Sequence, residues 1–272
     1  ALEVGNKLAL ANKESLVAAG ELVMAKAAEN QLIPVDSEHS AIWQSAMAGK
    51  KSEIAKLVLT ASGGPFRNRR DLSEVTIADA LAHPTWAMGQ VVTINSATLM
   101  NKSLEIIEAH YLFDLPYRQI EAVIHPQSIV HSMVEYVDGS TLAQLSPPNM
   151  KGPIAYAINW PVRLPGATKA MDWSEQHTLE FEPIDNERFP VIELARRCGE
   201  LGGGLPAIFN AANEVAVQAF LDEEIPFKDI AETIRIAMNN HKPHTIDSLE
   251  DVQSADRWAR DEVKKLITVT TH

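Results

Sequence analysis

Apolar positions fall in short runs near the N-terminus, alternate with polar ones mid-chain, and recur at helical spacing in the last third. Residues 7–12 (KLALAN) and 32–35 (LIPV) read as short buried strands. Between them, 13–30 is rich in helix formers, with Leu16, Val17, Leu22, Val23 and Met24 spaced as a buried face. This is a βαβ unit, and parallel strands joined in this way usually belong to a larger sheet. Residues 56–60 (KLVLT) predict a strand running into a loop, ASGGPFR, at 61–67. Pro84 and Gly89 interrupt 81–91, which reads as irregular, and VVTIN at 91–95 predicts a strand leading into a helix from Ala97 to Phe113. Alternation over 123–145 predicts two strands joined at Asp138-Gly139. The stretch 160–178 holds prolines, a glycine and little periodicity, so it reads as a linker. Helices are predicted over 190–201, 206–222, 227–240 and 254–267, with Pro190 in the first turn of the first. Gly202–Gly204 lie between two of these helices and predict a helix end and turn.

Composition narrows the function classes. The 272 residues are 46% hydrophobic and 22% charged, as in an ordinary globular protein with room for one or two cores. A net charge of −12 argues against binding nucleic acid or anionic membranes, while leaving room for an anionic substrate held by local cations. The single cysteine, Cys198, allows no internal disulfide, which favours a reducing, cytoplasmic setting. No apolar run reaches the roughly 20 residues of a membrane span. The first residue is not Met, from which processing or truncation is expected.

Four stretches could carry chemistry. In PVDSEHSAIWQ (34–44), Asp36 and Glu38 are two apart and would point to one side of a strand, where two carboxylates suit Mg²⁺ or Mn²⁺. Equally, Asp36 or Ser37 could cap a following helix with Glu38 in its first turn. In NSATLMNKSLEIIEAH (95–110), Ser96 is a natural N-cap, and Asn101, Lys102 and Glu105 share a helix face. Lys102 could meet a phosphate and Glu105 a metal, or the two could simply pair. The glycines after Ser62 in TASGGPFR could wrap an anion or form a plain turn. His83, Trp86 and Met88 in HPTWAMG suggest either a lid over a ligand or a plug to the core. His125 and His131, six apart, are read on one strand, as structural or functional residues. No G-x-G-x-x-G fingerprint is present.

In combination these words are more specific. LANKESLV, PVDSEH, ASGGPFR, HPTWAMG, NSATLMNKSLE, HPQSIVHSMVEY and FNAANEVAV, in that order, resemble the 1-deoxy-D-xylulose 5-phosphate reductoisomerases across nearly the whole chain. That resemblance implies an oxidoreductase of non-mevalonate isoprenoid synthesis that uses NADPH and a divalent cation, Mg²⁺ or Mn²⁺ with Co²⁺ as a further fit. It implies Asp36, Glu38 and Glu105 as metal ligands. Lys13, Ser37, Glu38, Ser62, His83, Trp86, Met88, Ser96, Asn101, Lys102 and Glu105 would contact the sugar phosphate. Asn12, Glu14 and Gly89 would approach NADPH, and Lys102, Glu38 and Glu105 would carry the catalysis. A homodimer is implied as well.

The expected fold class is α/β (α+β). Residues 1–35 would be a remnant final βαβ of an NADPH-binding domain, and 36–159 a catalytic domain with a mixed sheet flanked by helices. A linker over 160–185 and a C-terminal helical domain over 186–272 would follow. The glycine-rich loop expected of such a cofactor domain is absent, and Ser103 stands where the family pattern expects glycine. Two rival readings are a non-catalytic module that binds sugar phosphate and metal, and a metal-dependent aldolase or isomerase that needs no nicotinamide.

Overall fold

The structure is a computed structural model that describes residues 1–83, 88–242 and 244–270. In chain order it begins with β1 (Leu8–Leu10), α1 (Lys13–Met24), β2 (Leu32–Pro34), α2 (Ser37–Ala46) and β3 (Ile54–Ala61). There follow α3 (Ile77–Leu81), α4 (Gln90–Ala97), α5 (Met100–Phe113), β4 (Ile120–Ile124), β5 (Val130–Tyr136) and β6 (Thr141–Leu145). Last come α6 (Lys151–Asn159), β7 (Glu182–Pro183), α7 (Val191–Leu201), α8 (Leu205–Leu221), α9 (Asp229–Asn240) and α10 (Leu249–Thr270). Among the described residues no helix is long and apolar enough to cross a membrane. The class is mixed α/β, as expected.

Two compact units are formed, each from three stretches. One comprises Ala1–Lys13, Met24–Ser62 and Ala109–Ile184; the other comprises Glu14–Val23, Gly63–Glu108 and Asp185–His272.

The first unit holds two sheets. β1 and β2 pair in parallel, with Leu8 opposite Leu32 and Leu10 opposite Pro34. The other sheet runs β6-β5-β3-β4-β7, and only its β3–β4 pair is parallel. β3 is paired on both sides, and Leu57 and Leu59 are completely buried, which explains the apolar run Leu57–Leu59 at its centre. The β5–β6 hairpin turns at Asp138-Gly139 as expected; Gly139 has φ +85° and the Asp138 carboxylate accepts from the Ser140 N–H. α2 buries Ala41 and Ile42, and the Tyr136 hydroxyl donates to the Ser45 carbonyl at 3.0 Å.

The second unit is helical. α8 opens with Pro206 in its first turn and is buried over most of its length, from Leu205 to Phe220. α9 and α10 contribute one face each, including Ile230, Ile234, Ala259 and Val263. Phe66 and Phe220 both meet the ring of Phe227 edge-on, at 5.0 and 5.6 Å. Gly202 ends α7 with φ +64°, as its sequence suggests.

Several expectations are corrected. VVTIN is not a strand but lies in helix α4. Its β-branched residues read as strand, yet Thr93 and Ile94 are buried, and the Thr93 hydroxyl bonds back to the Gly89 carbonyl at 2.9 Å. Ser96 therefore lies within α4 and is not an N-cap; Leu99, at φ +61°, separates α4 from α5. α1 stops at Met24 rather than residue 30, and is kinked at Ala19. Beyond it the Gln31 side chain accepts from the Ala28 N–H and donates to the carbonyls of Leu2 and Asn6, holding a turn where more helix was expected. Finally, His125 and His131 do not share a strand. His125 follows β4, where its Nε2 accepts from the N–H groups of Ile129 and Val130 and its Nδ1 donates to the Glu180 carbonyl. That is a structural role. His131 is on β5, with Nε2 at Ser146.

Candidate cation and sugar-phosphate site

In the first unit, Asp36 and Glu38 are not on a strand. Asp36 is the N-cap of α2, and Glu38 lies in the helix's first turn. The Asp36 carboxylate accepts from the Glu38 N–H at 3.1 Å, so its capping role is real. It also meets Lys13 Nζ at 2.7 Å and His39 Nδ1 at 3.3 Å. Burial pushes the Asp36 carboxyl up, but the Lys13 ammonium and the hydrogen bonds from His39 and Glu38 outweigh it and hold the group well below the usual carboxylate range. Ser37 Oγ donates to Glu38 Oε2 at 2.5 Å. Two carboxylates thus sit together where a helix dipole favours negative charge. Asn12 is exposed just before α1, and Ser62 directly follows β3.

In the second unit, Asn101, Lys102 and Glu105 lie on one face of α5, as their spacing predicts. Asn101 Nδ2 donates to Glu105 Oε1 at 2.5 Å, and Lys102 Nζ pairs with Glu105 Oε2. Lys102 is 3% exposed and Glu105 is fully buried. Local pairing, the plainer of the two readings, is therefore present, and it holds a lysine and a carboxylate ready inside an apolar helix. Ser103 is also fully buried, and its hydroxyl donates to the Leu99 carbonyl at 3.1 Å, so it adds no unmet hydrogen bond to the helix.

The same unit brings His83 to Ser96, Nε2 to Oγ, at 2.9 Å. Burial pushes the His83 imidazole below its ordinary value, which favours the neutral ring. Gly64 lies against this segment: with φ +61°, a Cβ on it would stand 2.7 Å from the Ser96 carbonyl oxygen. Met88 is partly exposed, and Gly89 caps α4 at a place where an added Cβ would meet no described atom. Trp86 lies outside the described residues. Glu14 is in the first turn of α1.

Sequence reasoning missed Glu108, 1% exposed and one turn beyond Glu105 on α5, although the i, i+3 spacing was there to read. It also left His39 unassigned, although that residue stands three after Asp36 and pairs with it.

Comparison with known proteins identifies the family of the chain. The model of the 1-deoxy-D-xylulose 5-phosphate reductoisomerase C-terminal domain matches residues 32–113, and that of the DXP reductoisomerase C-terminal domain matches 145–262. The reductoisomerase of Streptomyces coelicolor is 56% identical over 275 residues, which is 99% of this chain and 66% of that protein. That of Kitasatospora griseola is 57% identical over 271 residues, 98% of this chain and 70% of its own. The chain thus spans about two thirds of the length of these curated relatives. The Zymomonas mobilis enzyme in complex with NADPH superposes with a TM-score of 0.91 at 43% identity, covering 98% of this chain and 70% of that one. A reductoisomerase complex with NADPH, fosmidomycin and magnesium gives 0.89 at 39% identity, covering 100% and 72%. Sequence, family models and backbone agree, and the chain belongs to the 1-deoxy-D-xylulose 5-phosphate reductoisomerase family.

Proposed function

We propose that this chain carries the divalent-cation and sugar-phosphate site of an enzyme that uses NADPH to convert 1-deoxy-D-xylulose 5-phosphate into 2-C-methyl-D-erythritol 4-phosphate. The observation that carries the reading is the pair of carboxylates at the start of α2, Asp36 at its N-cap against Lys13 and Glu38 in its first turn. Oxygen-only donors of this kind fit a hard cation such as Mg²⁺ or Mn²⁺. Glu105 is the third ligand in this reading. When bound, the cation would hold vicinal substrate oxygens and polarise a carbonyl.

The chain's own residues then have these tasks. Ser37 and Lys13 meet the sugar end of the substrate. Ser62, Ser96, Asn101 and Lys102 hold its phosphate, with neutral His83 supporting Ser96 through their hydrogen bond. The Lys102 ammonium offsets negative charge that develops on substrate oxygen. Met88 and Trp86 cover the substrate and exclude water.

NADPH fits only in part. Asn12, Glu14 and Gly89 would touch it, and the open space at Gly89 suits close approach of a ligand to the backbone. The 272 residues hold no glycine-rich dinucleotide loop, however. NADPH supplies a hydride when bound, and we infer that these residues alone do not bind it productively. The expected result is that the chain binds sugar phosphate and Mn²⁺ but does not sustain NADPH oxidation. Steady NADPH oxidation by the chain alone would refute this inference. Conversion of the ketose phosphate without NADPH would favour the aldolase or isomerase reading, and no binding of sugar phosphate would overturn the proposal itself.

The same reading includes a homodimer. β6 is the outer strand of its sheet, and Leu142 on it is exposed, as are Ile154, Ile158, Val162 and Leu164 in the same unit. An outer strand and exposed apolar residues in the same unit suit a second copy of the chain. Light scattering should give twice the 29.9 kDa of the chain, and a single-chain mass at micromolar concentration would remove the dimer from the reading.

A further inference from the structure

We propose that Arg188 and Asn213, both in the C-terminal stretch of the second unit, are positioning residues for the phosphate-binding segment around Ser96. This rests on the reading above, in which Ser96 holds the substrate phosphate.

Arg188 directly precedes Phe189, ahead of α7. Its Nη1 donates to the carbonyls of Arg69 at 2.8 Å, Arg67 at 3.0 Å and Phe66 at 3.4 Å, while Nε pairs with Asp185 at 2.9 Å. A guanidinium is the side chain suited to this, because it is planar, always charged and rich in donors. Convergence of three carbonyls on one cationic nitrogen fixes the turn at 66–69. That turn immediately follows Gly63 and Gly64, whose φ values are +85° and +61°. Gly64 in turn packs on Ser96, with no room for a Cβ. Displacement of the turn would therefore reach the Ser96 backbone through one glycine.

Asn213 reaches the same segment from α8. It is 1% exposed, and its Nδ2 donates to Asn95 Oδ1 at 3.0 Å; Asn95, 6% exposed, is the residue before Ser96. A buried amide pair specifies one alignment of two helices where apolar contacts alone would permit small slips. FNAANEVAV, singled out in the sequence and given no task by the proposed mechanism, acquires one here. Two separate C-terminal elements thus act on this segment, Asn213 directly at Asn95 and Arg188 through the turn that follows Gly63 and Gly64.

The test uses the full 272-residue chain with Mn²⁺ and 1-deoxy-D-xylulose 5-phosphate as the probe, with affinities read by calorimetry. Arg188→Met and Asn213→Leu should each weaken sugar-phosphate binding about fivefold or more while leaving Mn²⁺ affinity within twofold, since coupled contacts of this kind contribute measurably to one another. Arg188→Lys, which keeps the charge but not the fork, should fall between parent and Arg188→Met. In the S96A background Arg188→Met should have less than a twofold effect. Selective ¹⁵N-glycine labelling should show the Gly63 and Gly64 amides shifted in Arg188→Lys, which guards against a methionine variant that does not fold. Equal effects of Arg188→Met with and without Ser96, or losses of thermal stability with unchanged sugar-phosphate affinity, would overturn the inference. If instead S96A alone leaves affinity unchanged, it is the underlying phosphate-site reading that fails.

Discussion

Replacing Lys102 by methionine is expected to lower the stability of the metal-free chain by about 3–5 kcal/mol. The ammonium and the Glu105 carboxylate it pairs with have side chains only 4% and 1% exposed. Taking a carboxylate out of water is expensive, and in a buried pair much of that cost is offset by the partner charge. Methionine keeps the stem's volume and helix propensity but removes the charge, so the loss reports electrostatics rather than packing. In calorimetric melting with EDTA the midpoint should fall on the order of 10 °C. Mn²⁺ should recover more of the midpoint in Lys102→Met than it adds to the parent, because a bound cation would neutralise the same carboxylate. An unchanged midpoint in EDTA would show that the pair contributes nothing to the fold.

The second large effect is expected at Asp36. Asparagine is as good an N-cap as aspartate, so Asp36→Asn should leave the start of α2 intact. What it removes is the charge that Lys13 and His39 face, and one anionic oxygen from the proposed ligand set. Changing even the groups that merely orient metal ligands commonly costs 10–100-fold in affinity. Losing a charged ligand should therefore cost about 100-fold or more for Mn²⁺, followed by the electron paramagnetic resonance of the free ion. Affinity within threefold of the parent would reduce Asp36 to a helix cap and leave the cation reading without its first ligand.

Much of the molecule was legible in the sequence because its signals are local. The βαβ start, the Asp138-Gly139 hairpin and the C-terminal helices each follow from periodicity and turn chemistry within a short window. Asn101, Lys102 and Glu105 could be grouped because helical spacing alone brings them together. Where tertiary burial decides, the reading failed. VVTIN has strand-forming residues but lies in α4. At Asp36 and Glu38 a strand and a capped helix start were both open, and the structure has the capped helix start. Nor does any local window reveal that Arg188 reaches the carbonyls of Phe66, Arg67 and Arg69, or that Asn213 meets Asn95, since those contacts join residues more than 100 positions apart.

In the proposed site one divalent cation is held by Asp36, Glu38 and Glu105. The decisive measurement is calorimetric titration of Mn²⁺ into the unsubstituted chain and into Glu105→Gln. One site per chain is predicted for the parent, weakened about 100-fold or more in Glu105→Gln, which keeps the side chain's shape and removes only its charge. A parent that binds no Mn²⁺, or a Glu105→Gln variant that binds it as tightly as the parent, would contradict the assignment.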